Sequence, residues 1–182
     1  MKEAPASKDH QHNFFKIKFK INPEVAKFIF IFFTSLAIFY FLSINFESFI
    51  PFFNMQSTTQ ALFFFLKTIG INSSAGTYQI VFPNFAITIV RQCTGIFEVM
   101  AIVSCILAFP SSIKKKITGI SLAIPTIYFF NMGRLIFLSI LGIYYPSVFE
   151  AVHDYLLQLT FVFLVVFFWI FWIDKVVKSG KA

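Results

Sequence analysis

The chain is short of cysteine, with two in 182 residues. Cys93 and Cys105 lie 12 positions apart around and within one apolar run; as helix they would stand about 18 Å apart along the axis, beyond disulfide reach. Neither their number nor their spacing fits a disulfide framework or a zinc site. Basic residues are equally scarce outside three clusters. Of 15 Lys and Arg, six precede or open the first apolar run (Lys2, Lys8, Lys16, Lys18, Lys20 and, at its start, Lys27), three form Lys114 to Lys116, and three follow the last run (Lys175, Lys178, Lys181). Only Lys67, Arg91 and Arg134 lie elsewhere, so the net charge of +7 reads as membrane topology and not as a nucleic-acid surface. The first apolar run is followed by no small-residue cleavage pattern and is too long for a signal-peptide core, which predicts a retained anchor.

Apolar residues are what the chain has in excess. They make up 58% of it, with 29 Phe and a mean hydropathy of +0.79, against roughly 45–50% apolar in a soluble domain. A water-soluble fold of this length would have to expose large apolar patches. A bilayer removes that problem. The composition therefore predicts an all-α integral membrane protein, with a cytoplasmic basic tail over 1–24 and a single membrane domain over 25–182.

Four spans are expected, at about 25–44, 94–109, 117–141 and 155–173, each judged against the ~20 apolar residues needed to cross. The third contains Pro125, which membrane helices tolerate as a kink. Between the first and second spans the apolar character is broken by Asn45, Glu47, Pro51, Asn54, Gln56 and Gln60. The stretch TTQALFFFLKTI predicts a short amphipathic helix in the interface, and TYQIVFPNFAITIVRQ reads as a β-hairpin around Pro83-Asn84. With four crossings and both termini in the cytoplasm, all three basic clusters face inward, as the positive-inside rule requires. A fifth crossing at 58–70 would carry two of those clusters outside, and is rejected for that reason.

Polar groups inside spans are costly and mark function by default. Cys93 just before the second span, Arg134 about 27 Å along the third helix from Lys116, and His153 just above the fourth span all fall at one depth near the outer surface. A thiolate at a helix N-terminus is stabilised by unpaired N–H groups and by a nearby cation. The same donors could hold the oxyanion of an acyl transfer, and an imidazole is suited to protonating the leaving amine. Such a trio would cleave a peptide through a thioester. Cys93 is expected to react from outside with an impermeant thiol reagent, and Cys105, mid-span, to stay silent. Plain structural roles remain open for each residue: packing for a cysteine, snorkelling for Arg134, a helix start for His153. Glu98 would pair with Arg134 or Arg91. A non-catalytic scaffold built on an intramembrane Arg/Glu ion pair is the competing reading; a transporter or channel subunit would need polar residues along the whole depth of the bundle.

At these positions the sequence resembles the exosortase/archaeosortase family of membrane enzymes, through Cys93-Thr94-Gly95-Ile96, Asn131-Met132-Gly133-Arg134 and His153 before the last span. The resemblance covers roughly 79–173. It implies Cys93 as nucleophile, Arg134 as thiolate or oxyanion partner and His153 as general acid/base, with Thr94, Gly95, Glu98, Asn131 and Arg91 in support and neither cofactor nor metal. His in the third place is similar to the bacterial members. The chain departs from the family pattern in having Thr94 where Ser is more usual, and it reads as a bare catalytic core where many members have additional N-terminal membrane helices. The implied substrate is an exported protein whose C-terminus carries a signature, one transmembrane helix and a basic end. The implied acceptor is water, a lipid or a glycan, and the implied location is the inner (cytoplasmic) membrane with the active site facing the periplasm.

Overall fold

The computed structural model describes residues 22–45 and 53–178. The basic tail therefore lies, up to residue 21, outside the described residues, as do 46–52 with Glu47 and Pro51. Helix α1 (Pro23–Asn45) starts with proline at its first position, where no N–H is needed, and Asn22 Oδ1 accepts from the Glu24 N–H at 3.1 Å. None of its residues is buried. A helix apolar all round, packed on the helix Ile96–Ala108 along one side with Leu36 and Phe39 against the core, is left with an outer face made for lipid. Its few polar side chains turn inward on the backbone: Ser35 Oγ donates to the Ile31 carbonyl at 2.8 Å, and Asn45 Nδ2 to that of Phe41 at 2.8 Å.

Helix α2 (Met55–Thr68) is capped by Asn54, whose side chain accepts from the Ser57 N–H at 2.7 Å. It buries Thr58, Thr59, Leu62 and Leu66, one face at helical spacing. The strands β1 (Ser74–Ala75), β2 (Gln79–Phe82) and β3 (Phe85–Thr88) form an antiparallel sheet in the order β1-β2-β3, with Phe82 facing Phe85 across Pro83-Asn84. Alternation on β2 sends Ile80 and Phe82 inward. They meet Leu62, Leu66, Ile87, Ile89, Met132 and Leu135 in one buried cluster, so α2 and the sheet form a cap fixed to the helix that carries Met132.

That helix, α4 (Ile113–Tyr144), runs for 32 residues straight through Pro125. It is joined to α3 (Ile96–Ala108) before it and to α5 (Pro146–Trp172) after it; a π-helical turn, Ile173–Lys178, extends α5. Among the described residues, three helices are long and apolar enough to cross a membrane: α1, α4 and α5 with its extension. The expected span at 94–109 is a helix of 13 residues, ten of them buried. It is about 20 Å long, shorter than the ~30 Å hydrocarbon layer, and it packs against α1, α4 and α5 at the centre of the bundle. The helix expected to begin at 155 begins at Pro146. Glu150, His153 and Asp154 read as a polar connection, but they lie on a helix, Glu150 and Asp154 exposed and His153 partly so. Polarity there reflects exposure and not a loop.

The end of the bundle bearing the Lys114–Lys116 cluster is locked by a tryptophan and two lysines. Trp172, fully buried, sits against Gly119 and donates from Nε1 to the Lys115 carbonyl at 3.1 Å. Lys115 Nζ donates to the Val177 carbonyl and Lys116 Nζ to the Leu107 carbonyl, both at 2.6 Å, satisfying orphan acceptors at two helix ends. A β-carbon at Gly119 would collide with the indole, whereas one at Gly133 would meet nothing within 4 Å. Gly119→Ala is therefore expected to lower the thermal midpoint of the detergent-solubilised protein, by an overpacking cost of about 1–3 kcal/mol, while Gly133→Ala leaves it level or raised. Equal midpoints for both variants would contradict the Trp172 contact.

Candidate functional site

Past β3 the chain stays extended to Val90, then closes one 3-10 turn, Arg91–Cys93. The Cys93 N–H donates to the Val90 carbonyl at 2.8 Å and the Thr94 N–H to that of Arg91 at 3.2 Å. Thr94 Oγ1 also donates to the Arg91 carbonyl, at 2.8 Å, and accepts from the Ile96 N–H at 3.4 Å. Its hydroxyl thus bolts the turn to the start of α3. Gly95 follows at φ +82°, the left-handed region, with Asn131 and Phe53 3.3–3.4 Å from where a β-carbon would stand; both conformation and space demand glycine. Cys93 is not at the helix terminus itself, as the sequence suggested, but on this turn, three residues before α3 begins. The αL glycine intervenes. Its side chain is also not open to the outside: the residue is 2% exposed.

Two residues of α4 at i, i+3 spacing reach the turn. Asn131 Nδ2 donates to the Cys93 carbonyl at 2.8 Å, and Asn131 Oδ1 accepts from Arg134 Nη2 at 2.8 Å. Arg134 Nη2 also points to the Gln92 carbonyl, at 3.4 Å. On the other side, Arg134 Nη1 lies 3.8 Å from Glu98 Oε1, with side chains 4% and 5% exposed. This is an ion pair too long to be a hydrogen bond. Among the described residues, Arg134 Nε and Nη1 have no hydrogen-bond partner. A buried guanidinium is thus oriented by one amide and balanced by one carboxylate, with two donor positions left over. Such donors are what an incoming carbonyl or oxyanion needs.

The other expected site residues divide clearly. Glu98 pairs with Arg134 and not with Arg91, whose Nη1 instead donates to the Ser43 carbonyl at 3.1 Å, tying the turn to the end of α1. His153 stands apart from the Cys93, Asn131, Arg134 and Glu98 network. On α5 its side chain is 30% exposed, its Nδ1 is 3.4 Å from Asp154 Oδ1, and its ring stacks on Phe149 at 5.7 Å. Phe149 meets Phe85 edge-on at 4.8 Å, and both pack against the buried cluster containing Cys93. Sequence reasoning missed Phe149 as the seat of the imidazole. Pro146, a good first helical residue, was the signal: starting the helix there puts 149 and 153 one turn apart. It also missed the Gln92 carbonyl, a main-chain acceptor that no side-chain pattern reports. Among the described residues, no three His, Cys, Asp or Glu converge to hold a metal ion.

No curated protein and no solved structure matches this chain. A family model does: transmembrane exosortase (Exosortase_EpsH), over residues 26–175. That match spans about four-fifths of the sequence, runs from the first turn of α1 to the extension of α5, and includes the turn that carries Cys93 and the α4 residues that grip it. The chain belongs to the transmembrane exosortase family.

Proposed function

We propose that this membrane protein is a cysteine-dependent peptidase or transpeptidase that cleaves C-terminal sorting signals of exported proteins at the outer face of the inner membrane. The observation that carries the reading is the Asn131 amide, which bonds the Cys93 main chain with one end and Arg134 with the other. One small group thereby sets a nucleophile and a cation with free donors in fixed relation, the preorganisation acyl transfer requires.

In this reading His153 takes the Cys93 thiol proton, Cys93 Sγ attacks the scissile carbonyl carbon, and the carbonyl electron pair moves to oxygen, where the unpartnered Arg134 donors receive it. Collapse of the tetrahedral intermediate breaks the C–N bond. The leaving amine takes a proton from His153, and a thioester remains on Cys93. Water or an acceptor amine then attacks the thioester, gives its proton to His153 and releases the sulfur. His153, partly exposed, can exchange protons with water. To serve it must leave its stack on Phe149, and the substrate must uncover the thiol. For topology, the reading makes α3 the fourth crossing, lengthened at its ends by the Arg91–Cys93 turn and the extended Phe109. Both termini are cytoplasmic, and Cys93 faces the periplasm. The substrate is a protein ending in a signature, a transmembrane helix and a basic tail; the acceptor is water, a lipid or a glycan.

The Arg134–Glu98 pair favours one other reading, a non-catalytic scaffold in which the pair fixes helix packing. Substitution separates the two. Cys93→Ala should abolish processing of a tailed substrate, a loss on the order of 10³-fold or more, with membrane abundance unchanged; retained processing would support the scaffold. Arg134→Lys keeps the charge but not the rigid fork, and should reduce processing by about 10²-fold or more; wild-type turnover would remove Arg134 from the chemistry. A cytoplasm-only fluorescent reporter fused at residue 182 should be bright and the same reporter inserted after Gly70 dark, and the reverse pattern would overturn the topology.

A further inference from the structure

Helices α4 and α5 are held together near both ends. One clasp is Trp172 against Gly119; the other is Phe85, which rests on Gly142 of α4 and on Phe149 of α5. Between the clasps the two helices part and leave an open groove of about 940 Å³. It runs from Phe129 to Phe137 on α4 and from Leu156 to Leu164 on α5, about 12 Å or two helical turns. Phe130, Phe137, Leu159 and Phe163 form its rims and are 50–67% exposed. Gly133 and Thr160 line it from opposite helices, and a β-carbon on Gly133 would meet nothing within 4 Å.

The wall of this groove contains the one charged group that belongs to the site already described. Arg134 lines it, is 6% exposed, and keeps Nε and Nη1 without hydrogen-bond partners among the described residues. Groove and site are therefore continuous through a single side chain. A lipid tail lying here would offer that guanidinium no acceptor. A peptide that enters the groove as an apolar helix and becomes extended at the level of Arg134 would offer its main-chain carbonyls. Small residues facing an open groove are also how membrane helices admit another helix backbone closely.

We propose that the α4–α5 groove is the docking surface for the apolar transmembrane helix of the peptide substrate, with Gly133 as the floor that lets that helix approach. The proposal rests on the reading of Cys93 as nucleophile. It makes Gly133, in the Asn131-Met132-Gly133-Arg134 run, a binding residue selected for its missing side chain. It also explains how one membrane-embedded partner can be held while its scissile bond is presented to the Cys93 turn: helix and reacting carbonyl meet on opposite sides of Arg134.

The test uses the full-length protein in membranes with a co-expressed tailed substrate. Gly133→Leu fills the groove and should reduce processing at least tenfold, whereas Phe30→Leu on the lipid-facing side of α1 should not. A photo-crosslinking residue at position 163 should capture the substrate, and should still do so in a Cys93→Ala background, where chemistry is absent; the same residue at position 30 should capture none. Position 163 crosslinked only to lipid, or only to a second copy of the chain, would overturn the groove assignment, as would normal processing by Gly133→Leu. Those results would leave Cys93 as nucleophile untouched. Processing that survives Cys93→Ala would instead sink the catalytic reading on which the proposal rests.

Discussion

A guanidinium inside a bundle of phenylalanines has to be held, and the rest of this structure is arranged around how Arg134 is held. The idealised cost of moving such a charge out of water is large, and real proteins accept it only where hydrogen bonds and an opposite charge offset it. Here the two jobs are divided. Asn131 gives direction with a hydrogen bond of 2.8 Å, and Glu98 gives charge balance from 3.8 Å without closing on the same donors. Because Asn131 also grips the Cys93 carbonyl, the position of the thiol-bearing turn and the position of the cation cannot vary independently. The fit of Gly95 against Asn131 follows from the same contact, since any β-carbon would push the amide away from both partners.

The two ends of the bundle are built for different purposes. At the lysine-rich end, indole packing and lysine hydrogen bonds to free carbonyls fasten α3, α4 and the extension of α5 to each other. At the other end Phe85 rests on Gly142 of α4 and on Phe149 of α5, and α2 and the small sheet pack on α4. A fastened base with a separate cap at the opposite end encloses the turn that carries Cys93. The near-complete burial of Cys93 belongs to this design, because the cap cluster that orders the turn is also what covers the sulfur.

Much of this was legible in the sequence, for physical reasons that differ by element. Helices α1 and α4 announce themselves because lipid contact demands long apolar runs. The short pattern Cys93-Thr94-Gly95 is readable because each residue has a task only its type performs: a thiol, a hydroxyl that closes a turn, and a residue free to adopt positive φ. Hydropathy was a poor guide where helix and membrane part company. It detects apolar runs and not helix, so the exposed, polar first turns of α5 read as a connection, and α3, largely buried in protein, read as a short crossing. The seat of the His153 ring on Phe149 was hidden for another reason. Shared depth in a membrane constrains one coordinate of three, and the remaining two are decided by packing, here by Phe149 and Phe85.

The central claim, that Cys93 carries the acyl group of a cleaved substrate, is tested most directly by trapping that intermediate. Wild-type enzyme quenched in acid during turnover of a tailed substrate should carry a thioester, which intact-mass and peptide mapping would place on the Cys93 peptide and which hydroxylamine would release. An adduct found on Cys105, or steady product formation with no cysteine adduct at any time point, would contradict the account.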